Sequence, residues 1–353
     1  VYNGQHRLLK ITDKDTNLLA GYEYDADGRL IAMLDAKGQR IELTHQLEQN
    51  TEQVKDRLGR VTTYTYDDYG NVIKEVDALG NITTRTFNDR YDQLSETDAL
   101  GRTTTWTYDD KHNKLTETNP LGQMTSYSYD SNRKLLTETD HTGRIVSNNR
   151  YDSSGQLTEL KNAAGQTTSM SYGSSGLTGL TDVAGHTTSY VYTGDNLTET
   201  TDPTGRKTRY SYDANKRKLS ETVIYTDGSG MERQLQTRFE YDTKGRLVKQ
   251  IDADGGISTK TYGTADEVFS ETDRFGNTTT YQYDANKKLI QTTYADGTSS
   301  KTVYDAEEQV LQETDRLGRV TQYEYDLAGR KTKTRLPNGA VLTIQYDAVG
   351  NIL

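Results

Sequence analysis

The side chains in this sequence that could do chemistry are the carboxylates of short acidic loops and five histidines. The loop Asp25-Ala26-Asp27-Gly28 places alternate carboxylates as the first half of a calcium loop does, and Asp252-Ala253-Asp254-Gly255 repeats the pattern. Both loops lack the remaining ligands and the downstream Glu, so the pattern favours turns braced by Asp side chains. The histidines have no metal-ligand spacing and are expected at the surface: His6, His45, His112, His141 and His186. We expect no metal site and no cofactor.

Nucleophilic catalysis has little support in the sequence. The chain has no Cys and no Gly-x-Ser-x-Gly elbow that could carry a serine nucleophile. Paired carboxylates are frequent, as they are in any acidic repeat, and their spacing alone does not identify a glycosidase pair. We therefore expect no catalytic residues and no enzymatic activity.

Composition limits the possible partners and the size of the core. Of the 353 residues only 32% are hydrophobic, and Tyr supplies 26 residues where Phe supplies 4. This predicts an ordered but thin structure, because Tyr and Thr favour strands while Leu, Ile and Val are scarce. The net charge of −10 disfavours binding to nucleic acid or to an anionic membrane. The sequence has no apolar run that would insert into a membrane.

The elements that must position these carboxylates recur every 21 residues. The unit 66–86 opens with Tyr66-Asp67 and Gly70, and ten residues later Asp77 and Gly80 frame a second turn. We expect both turns to use an Asp side chain bonded to backbone N–H groups and a Gly with positive φ. The signature residues that we assign a structural role are Tyr66, Asp67, Gly70, Asp77, Gly80, Tyr108, Asp109, Tyr129, Asp130, Tyr283, Asp284, Tyr304, Asp305, Asp315, Gly318, Tyr325 and Asp326.

Two strands and two turns make up each unit. In the strand 61–66, Tyr64 and Tyr66 share one face, and a Glu recurs on the other strand of the unit as Glu75, Glu96, Glu117, Glu138, Glu271 and Glu313. A single unit buries too little apolar surface to fold alone, so stability must come from its neighbours. The pattern predicts an all-β fold: a long antiparallel sheet of repeated β-hairpins, coiled into a spiral barrel or hollow shell. We treat residues 1–353 as one repeat segment of a longer array.

Three irregular places interrupt the period. Residues 45–65 are a degenerate repeat, in which His45 stands where the Tyr should be. The step from Tyr212 to Tyr241 is longer than the others and predicts an extended hairpin over 212–240, which could be a simple projection or a contact site for a partner. The steps of 22, 20 and 20 residues between Tyr129 and Tyr212 indicate bulges or tight turns.

The repeated phrase Tyr-Asp-x-x-Gly-x-Leu, Glu-Thr-Asp-x-x-Gly-Arg-x-Thr-x-Tyr-x-Tyr-Asp, nearly intact at 94–108 and 304–326, resembles the YD-repeat or rearrangement-hotspot (Rhs) family. The resemblance covers essentially the whole chain. It implies a secreted or cell-surface bacterial shell, as in polymorphic toxins and Tc-toxin C components, and more distantly in teneurins. The implied partners are an enclosed toxic C-terminal domain of the same polypeptide, flanking shell segments and a secretion-apparatus protein.

The sequence departs from the toxin members of that family in one respect. Those members end their repeats with paired Asp-Pro-x-Gly elements at which self-cleavage occurs, whereas here only Asp202-Pro203-Thr204-Gly205 is similar, and it lies in register as an ordinary turn. The alternative function is a cell-surface adhesion or carbohydrate-binding module. That alternative is weakened by the single Trp, Trp106, because sugar and choline sites rely on indole rings.

Overall fold

The computed structural model describes residues 1–13 and 16–353. These residues form 32 strands and one short 3-10 turn, Leu47–Gln49. The strands are β1 Lys10–Thr12, β2 Leu18–Tyr24, β3 Leu30–Leu34, β4 Arg40–Gln46, β5 Thr51–Lys55, β6 Val61–Tyr66, β7 Val72–Val76, β8 Ile82–Phe87, β9 Gln93–Thr97, β10 Thr103–Tyr108, β11 Lys114–Thr118, β12 Met124–Tyr129, β13 Leu135–Thr139, β14 Ile145–Tyr151, β15 Leu157–Asn162, β16 Thr167–Gly173, β17 Gly176–Thr181, β18 Thr187–Thr193, β19 Asn196–Thr201, β20 Lys207–Tyr212, β21 Lys218–Thr226, β22 Glu232–Tyr241, β23 Leu247–Ile251, β24 Ile257–Tyr262, β25 Val268–Thr272, β26 Thr278–Tyr283, β27 Leu289–Thr293, β28 Ser299–Tyr304, β29 Val310–Thr314, β30 Val320–Tyr325, β31 Lys331–Arg335 and β32 Val341–Thr343.

The strands pair in chain order. From β1 to β10, from β11 to β24 and from β26 to β32, each strand is antiparallel to the next. Consecutive antiparallel strands need only short turns, which the Asp and Gly residues supply at intervals of about ten residues. The predicted all-β sheet of repeated hairpins is confirmed.

The sheet does not close into a barrel. In the part of the chain that the structure describes, the strands pair with their neighbours in the sequence, so no ladder of backbone hydrogen bonds closes the sheet on itself. Distant repeats meet instead through the side chains of their turns, as described below. A turn has already used its backbone groups internally, and it therefore offers side chains rather than a free strand edge to its neighbour.

Contacts divide the chain into two units. Unit 1 comprises Val1–Thr105, Tyr262–Ser270 and Thr278–Leu353, and unit 2 comprises Trp106–Thr261 and Glu271–Asn277. In both units the same hairpin repeats. The tight turns predicted in unit 2 are confirmed, since β16–β17 and β18–β19 are joined by two-residue loops between the pairs Gly173–Gly176 and Thr193–Asn196. A bulge in the β13–β14 pairing accounts for the 22-residue step.

The structure has almost no enclosed core. Its accessible surface is 21396 Å², against about 14,000 Å² expected for a compact monomer of 39.7 kDa. Among the described residues only Ala32 and Ile224 are buried hydrophobic residues. Along β10 the alternation is clear: Trp106 and Tyr108 are half-buried, while Thr105 and Thr107 are exposed. Stability therefore depends on ladder hydrogen bonds and on half-buried Tyr side chains. Within the described residues no helix has the length and apolarity needed to cross a membrane.

Candidate functional site

The two kinds of turn lie on opposite rims of the sheet, because successive strands run in opposite directions. We call the rim formed by turns of the type Asp77–Gly80 the Asp-turn rim. The rim formed by turns of the type Tyr66–Gly70 is the Tyr-turn rim. Both are built by the same local device, a carboxylate that holds the turn from inside.

The Asp carboxylate closes each turn with two backbone bonds. In the Tyr-turn, Asp67 Oδ1 accepts the backbone N–H of Tyr69 at 3.0 Å and of Asn71 at 2.9 Å, while Asn71 Nδ2 donates to Oδ2 at 2.8 Å. In the Asp-turn, Asp77 is bonded in the same way by Leu79 and Asn81. The sequence pointed to the first of these bonds but not to the side chain four residues on, which satisfies the second carboxylate oxygen.

The other signature carboxylates have related surroundings. The backbone N–H groups two and four residues on both donate to Oδ1 of Asp109, Asp130, Asp305, Asp315 and Asp326, and Asp284 accepts from Lys288. Gly70, Gly80 and Gly318 have φ of 88°, 82° and 76°. The signature residues therefore lie at the turns and at the strand ends beside them.

Hydrogen bonding holds these carboxylates in the ionised form. The side chain of Asn71, together with backbone N–H groups, keeps the pKa of Asp67 below its usual value. The backbone N–H of Arg319 is the largest cause of the lowered pKa of Asp315, followed by the Arg319 side chain. In the long hairpin, bonds from Ser229 and Arg233 lower the pKa of Asp227 to about 2.

We predict that the protein is destabilised by acid. A carboxylate whose pKa is lower in the folded state than in the unfolded state stabilises the fold while it is ionised, and this stabilisation is lost as pH falls through the folded-state pKa. The free energy of unfolding in urea should be constant above about pH 5 and should fall below about pH 4, the usual pKa of Asp. An Asn can hold the same turn, since Asn119 Oδ1 accepts the N–H of Leu121 and of Gln123 at 3.0 Å. Replacing Asp67, Asp109 and Asp273 together with Asn should therefore make the loss of stability below pH 4 smaller, because the pKa of each of these carboxyl groups is lowered in the fold. An unchanged loss in acid would contradict the assignment.

The last residue of the Tyr-turn has positive φ whether or not it is Gly. Eight of these turns place another residue there: His6, Tyr91, His112, Arg133, Lys216, Asp266, Lys287 and Glu308, with φ between 61° and 69°. Such residues carry strain, because Cβ crowds the backbone in the left-handed region.

Opposite effects are therefore expected at two equivalent positions. Gly70→Ala should lower the free energy of unfolding by about 1 kcal/mol, since the site has open space around Cβ but φ is 88°. Lys216→Gly should raise it by about 0.5–1 kcal/mol. Lys216 makes an exposed ion pair with Asp195 at 2.8 Å, which contributes little. Thermal melts of both variants test this, and a loss of stability in Lys216→Gly would refute the strain argument.

In many repeats the opening Tyr ties its repeat to the preceding one. Tyr325 Oη donates to the carbonyl of Val310 at 2.8 Å, and Val310 lies opposite Tyr304 next to a bulge in the pairing. Tyr304 Oη in turn donates to Leu289, which lies opposite Tyr283. The same bond recurs from Tyr24, Tyr129, Tyr151, Tyr172, Tyr212, Tyr241 and Tyr346. We call this contact the tyrosine bond. It gives a hydrogen-bond partner to a carbonyl next to a bulge, where the ladder of backbone hydrogen bonds is disrupted.

His45 takes over this bond in the degenerate repeat. Its Nε2 lies 2.8 Å from the carbonyl oxygen of Leu30, the residue opposite Tyr24, and its Nδ1 lies 2.7 Å from Glu52 Oε2. Strand β4 also keeps its register with β5. His45 therefore preserves the contact between repeats where the sequence pattern has decayed.

Cations separate the recurring Glu residues. Arg85 lies between two of them, 3.3 Å from Glu75 and 2.9 Å from Glu96, and Lys114 lies 2.6 Å from Glu117. Lys and Arg side chains also cover Tyr rings, as Lys114 covers Tyr127 at 4.6 Å. At these positions neighbouring strands therefore supply charges that compensate those of the recurring Glu residues.

Residues 218–241 form the longest hairpin. Strands β21 and β22 pair over seven positions from Ser220–Arg238 to Thr226–Glu232, and Asp227 closes the turn. Ile224 is buried in it, and Leu235 and Met231 are exposed.

In unit 1 the Asp-turn rim of the early repeats is docked on the Tyr-turn rim of the late repeats. Arg57 is central to this contact: its backbone N–H donates to Glu307 Oε1 at 2.6 Å, its Nη1 donates to Oε2 at 3.3 Å, and its Nε lies 3.4 Å from Asp35 Oδ2. The side chains of Arg57, Asp35 and Glu307 are only 22%, 11% and 18% exposed. This is the most buried charged cluster that we describe.

Further bonds extend the contact along both rims. Lys37 Nζ lies 2.6 Å from Asp284 Oδ2, and Asn286 Nδ2 donates to Asp35 Oδ2 at 2.8 Å. Arg60 Nη1 donates to Gln309 at 3.4 Å, and Gln309 Nε2 donates to the carbonyl of Gly329 at 2.7 Å. The hydrogen bonds that cross from one rim to the other join residues 249 to 251 positions apart in the chain. We call this set of contacts the rim clamp.

The rim clamp was missed by sequence analysis. No group of three or more His, Asp or Glu residues is arranged to hold a metal ion in the part of the chain that is described. The ion pairs of the rim clamp neutralise partly desolvated charges across two rims that are remote in sequence.

The turns and the tyrosine bonds define a β-hairpin repeat protein, and in unit 1 the rim clamp joins two rims that are remote in sequence. A profile of the RHS repeat family matches residues 2–40, 50–86, 89–123, 193–230, 265–299 and 304–341, which is more than half of the chain. The chain belongs to the RHS repeat family. No curated protein matches the sequence.

Solved structures with a similar fold are Tc-toxin proteins. A Tc holotoxin pore from Photorhabdus luminescens matches with a TM-score of 0.61 and 14% identity, over 93% of this chain and 22% of that one. TcdB2-TccC3 without its hypervariable C-terminal region matches with a TM-score of 0.64 and 14% identity, over 97% of this chain and 24% of that one. A further TcdB2-TccC3 structure matches with a TM-score of 0.57 and 16% identity, over 100% of this chain and 21% of that one. The likeness shows the fold, and the chain spans about a quarter of the length of these structures.

Proposed function

We propose that this chain is a non-catalytic segment of a secreted bacterial toxin shell, and that the shell encloses a toxic polypeptide joined to its C-terminal side. The rim clamp is the observation that carries the proposal. A wall one sheet thick can enclose a cargo only if its successive layers are joined, and the Arg57–Glu307 contact joins layers about 250 residues apart. Membership of the RHS repeat family and the Tc-toxin fold support the same function.

The physical properties of the sheet suit a wall. Repeat arrays gain stability from neighbour contacts, so they can grow without a globular core. Here the tyrosine bonds join consecutive repeats and the rim clamp joins distant ones. Flanking repeats of the same polypeptide are the partners that such a wall needs, and a secretion-apparatus protein would carry it out of the cell.

Protease protection tests the proposal. In the full-length polypeptide that carries these repeats, a segment enclosed by the wall should resist a protease that cuts it readily when it is expressed alone. Glu307→Ala should open the rim clamp and expose the segment, while Glu324→Ala, which removes an exposed ion pair with Lys333, should leave protection unchanged. Equal digestion of the segment inside and outside the native protein would exclude enclosure.

Carbohydrate binding remains the second candidate, and one observation favours it. Tyr69 and Tyr91 are exposed on the Tyr-turn rim, with ring centroids 5.5 Å apart at 80°. Exposed aromatic pairs of this kind can stack on sugars. Competable glycan-array signals that disappear in Tyr69→Ala would favour adhesion over the shell, and an array without signals would remove this candidate.

A further inference from the structure

One seven-residue sequence occurs twice in unit 1. Residues 56–62 and residues 315–321 both read Asp-Arg-Leu-Gly-Arg-Val-Thr. Each forms an Asp-turn followed by the first strand residues, with the same internal bonds from the backbone N–H groups of the third and fifth residues. The two copies are therefore a matched pair that differs only in surroundings.

The first copy, residues 56–62, is covered by the docked Tyr-turn rim, whereas the second copy, residues 315–321, is exposed. We call the second one the bare copy. Exposure of the first arginine is 22% for Arg57 and 48% for Arg316, and exposure of the second arginine is 15% for Arg60 and 61% for Arg319. The leucine between them is 45% exposed in the first copy and 75% exposed, as Leu317, in the second. The difference is the Tyr-turn rim that covers the first copy.

The bare copy already makes one of the two carboxylate contacts that Arg57 makes in the rim clamp. Arg57 is ion-paired with a carboxylate of the preceding Asp-turn, Asp35, and with a second carboxylate from the docked rim, Glu307. Arg316 likewise reaches Asp296 of the preceding Asp-turn at 2.6 Å and covers the ring of Tyr294 at 4.0 Å. What Arg316 lacks in the described chain is the equivalent of Glu307.

We propose that the turn Asp315–Arg319 is a second docking site, and that in the isolated chain it binds the Tyr-turn rim of a second copy. The matching carboxylate must be the fourth residue of a Tyr-turn, as Glu307 is. Among Tyr-turns that begin with Tyr-Asp and have five residues, Asp27 and Glu307 meet this condition. Glu307 is already bonded in the rim clamp, whereas the Asp27 side chain is 69% exposed and, among the described residues, is paired with Arg29 at the surface.

The two surfaces of the proposed contact carry opposite charges. The bare Asp-turn rim presents Arg316 and Arg319, and the free Tyr-turn rim presents Asp27, Asp68 and Asp89, so the two are complementary. Because the two surfaces differ and lie on one chain, the contact is head-to-tail and adds copies without closing on itself. Association should weaken as salt concentration rises.

Sedimentation velocity over a range of protein concentrations tests this. The native chain should self-associate, and Arg316→Glu and Asp27→Arg should each weaken association by about tenfold or more. The double variant Arg316→Glu/Asp27→Arg should recover it, because the pair is restored with reversed charges. Arg150→Glu, on an exposed strand position, is the control that should associate normally. Circular dichroism checks that each variant is folded. A native chain that stays monomeric, or a double variant that is not rescued, would overturn the proposal.

Discussion

Arg57→Ala is expected to lower the free energy of unfolding by about 2–3 kcal/mol, since removing one partner leaves partly buried carboxylates without a counter-charge. Asp35 and Glu307, with side chains 11% and 18% exposed, would then face each other across the rim contact. Urea unfolding monitored by tyrosine fluorescence measures the loss.

The repeated seven-residue sequence supplies the control for that measurement. Arg316→Ala removes the same residue from the same local sequence where no rim is docked, and it should cost about 0.5 kcal/mol or less in dilute protein. Glu307→Ala combined with Arg57→Ala should cost less than the sum of the single changes, because the two residues share one interaction. Equal losses at Arg57 and Arg316 would mean that the rim clamp does not stabilise the protein.

Tyr325→Ala is the second large effect and should destabilise the protein by about 2–3 kcal/mol, somewhat less than full core truncations because the ring is half-buried. Tyr325→Phe keeps the ring and loses the bond to the Val310 carbonyl, and it should cost about 1 kcal/mol. The two losses, read from thermal melts, separate packing of the ring from the tyrosine bond.

Exposed tyrosines of the same chain show whether position matters. Tyr69 is 69% exposed in a turn, and Tyr69→Ala should change the free energy of unfolding by no more than about 0.5 kcal/mol. If Tyr69→Ala and Tyr325→Ala were equally destabilising, the role given to the repeating Tyr would be wrong.

Much of the fold was predictable because its determinants are local. The 21-residue period, the Asp and Gly of each turn and the alternation in strands such as Val61–Tyr66 fix hairpins within a few residues of each signal. Even the substitution of His45 for Tyr could be seen from spacing. The bond that His45 makes to Leu30 could not, because it depends on a bulge that carries no signature in the sequence.

The rim clamp could not be predicted for a different reason. Arg57 and Glu307 look like any surface charges, and they lie 250 residues apart on turns of different type. That separation has meaning only once the path of the sheet is known. Coiling of the sheet was expected because long twisted sheets curl, but the sequence could not show that distant layers would meet through turns instead of strands.

Zero-length carbodiimide cross-linking of the native chain, followed by mass spectrometry, tests the rim clamp most directly. Lys37 Nζ and Asp284 Oδ2 are 2.6 Å apart, close enough for an amide bond to form between them, and the local pair Lys333–Glu324 at 2.7 Å serves as the positive control. We expect a peptide containing Lys37 joined to one containing Asp284. Recovery of the Lys333–Glu324 link without the Lys37–Asp284 link would contradict the docking of early repeats on late ones.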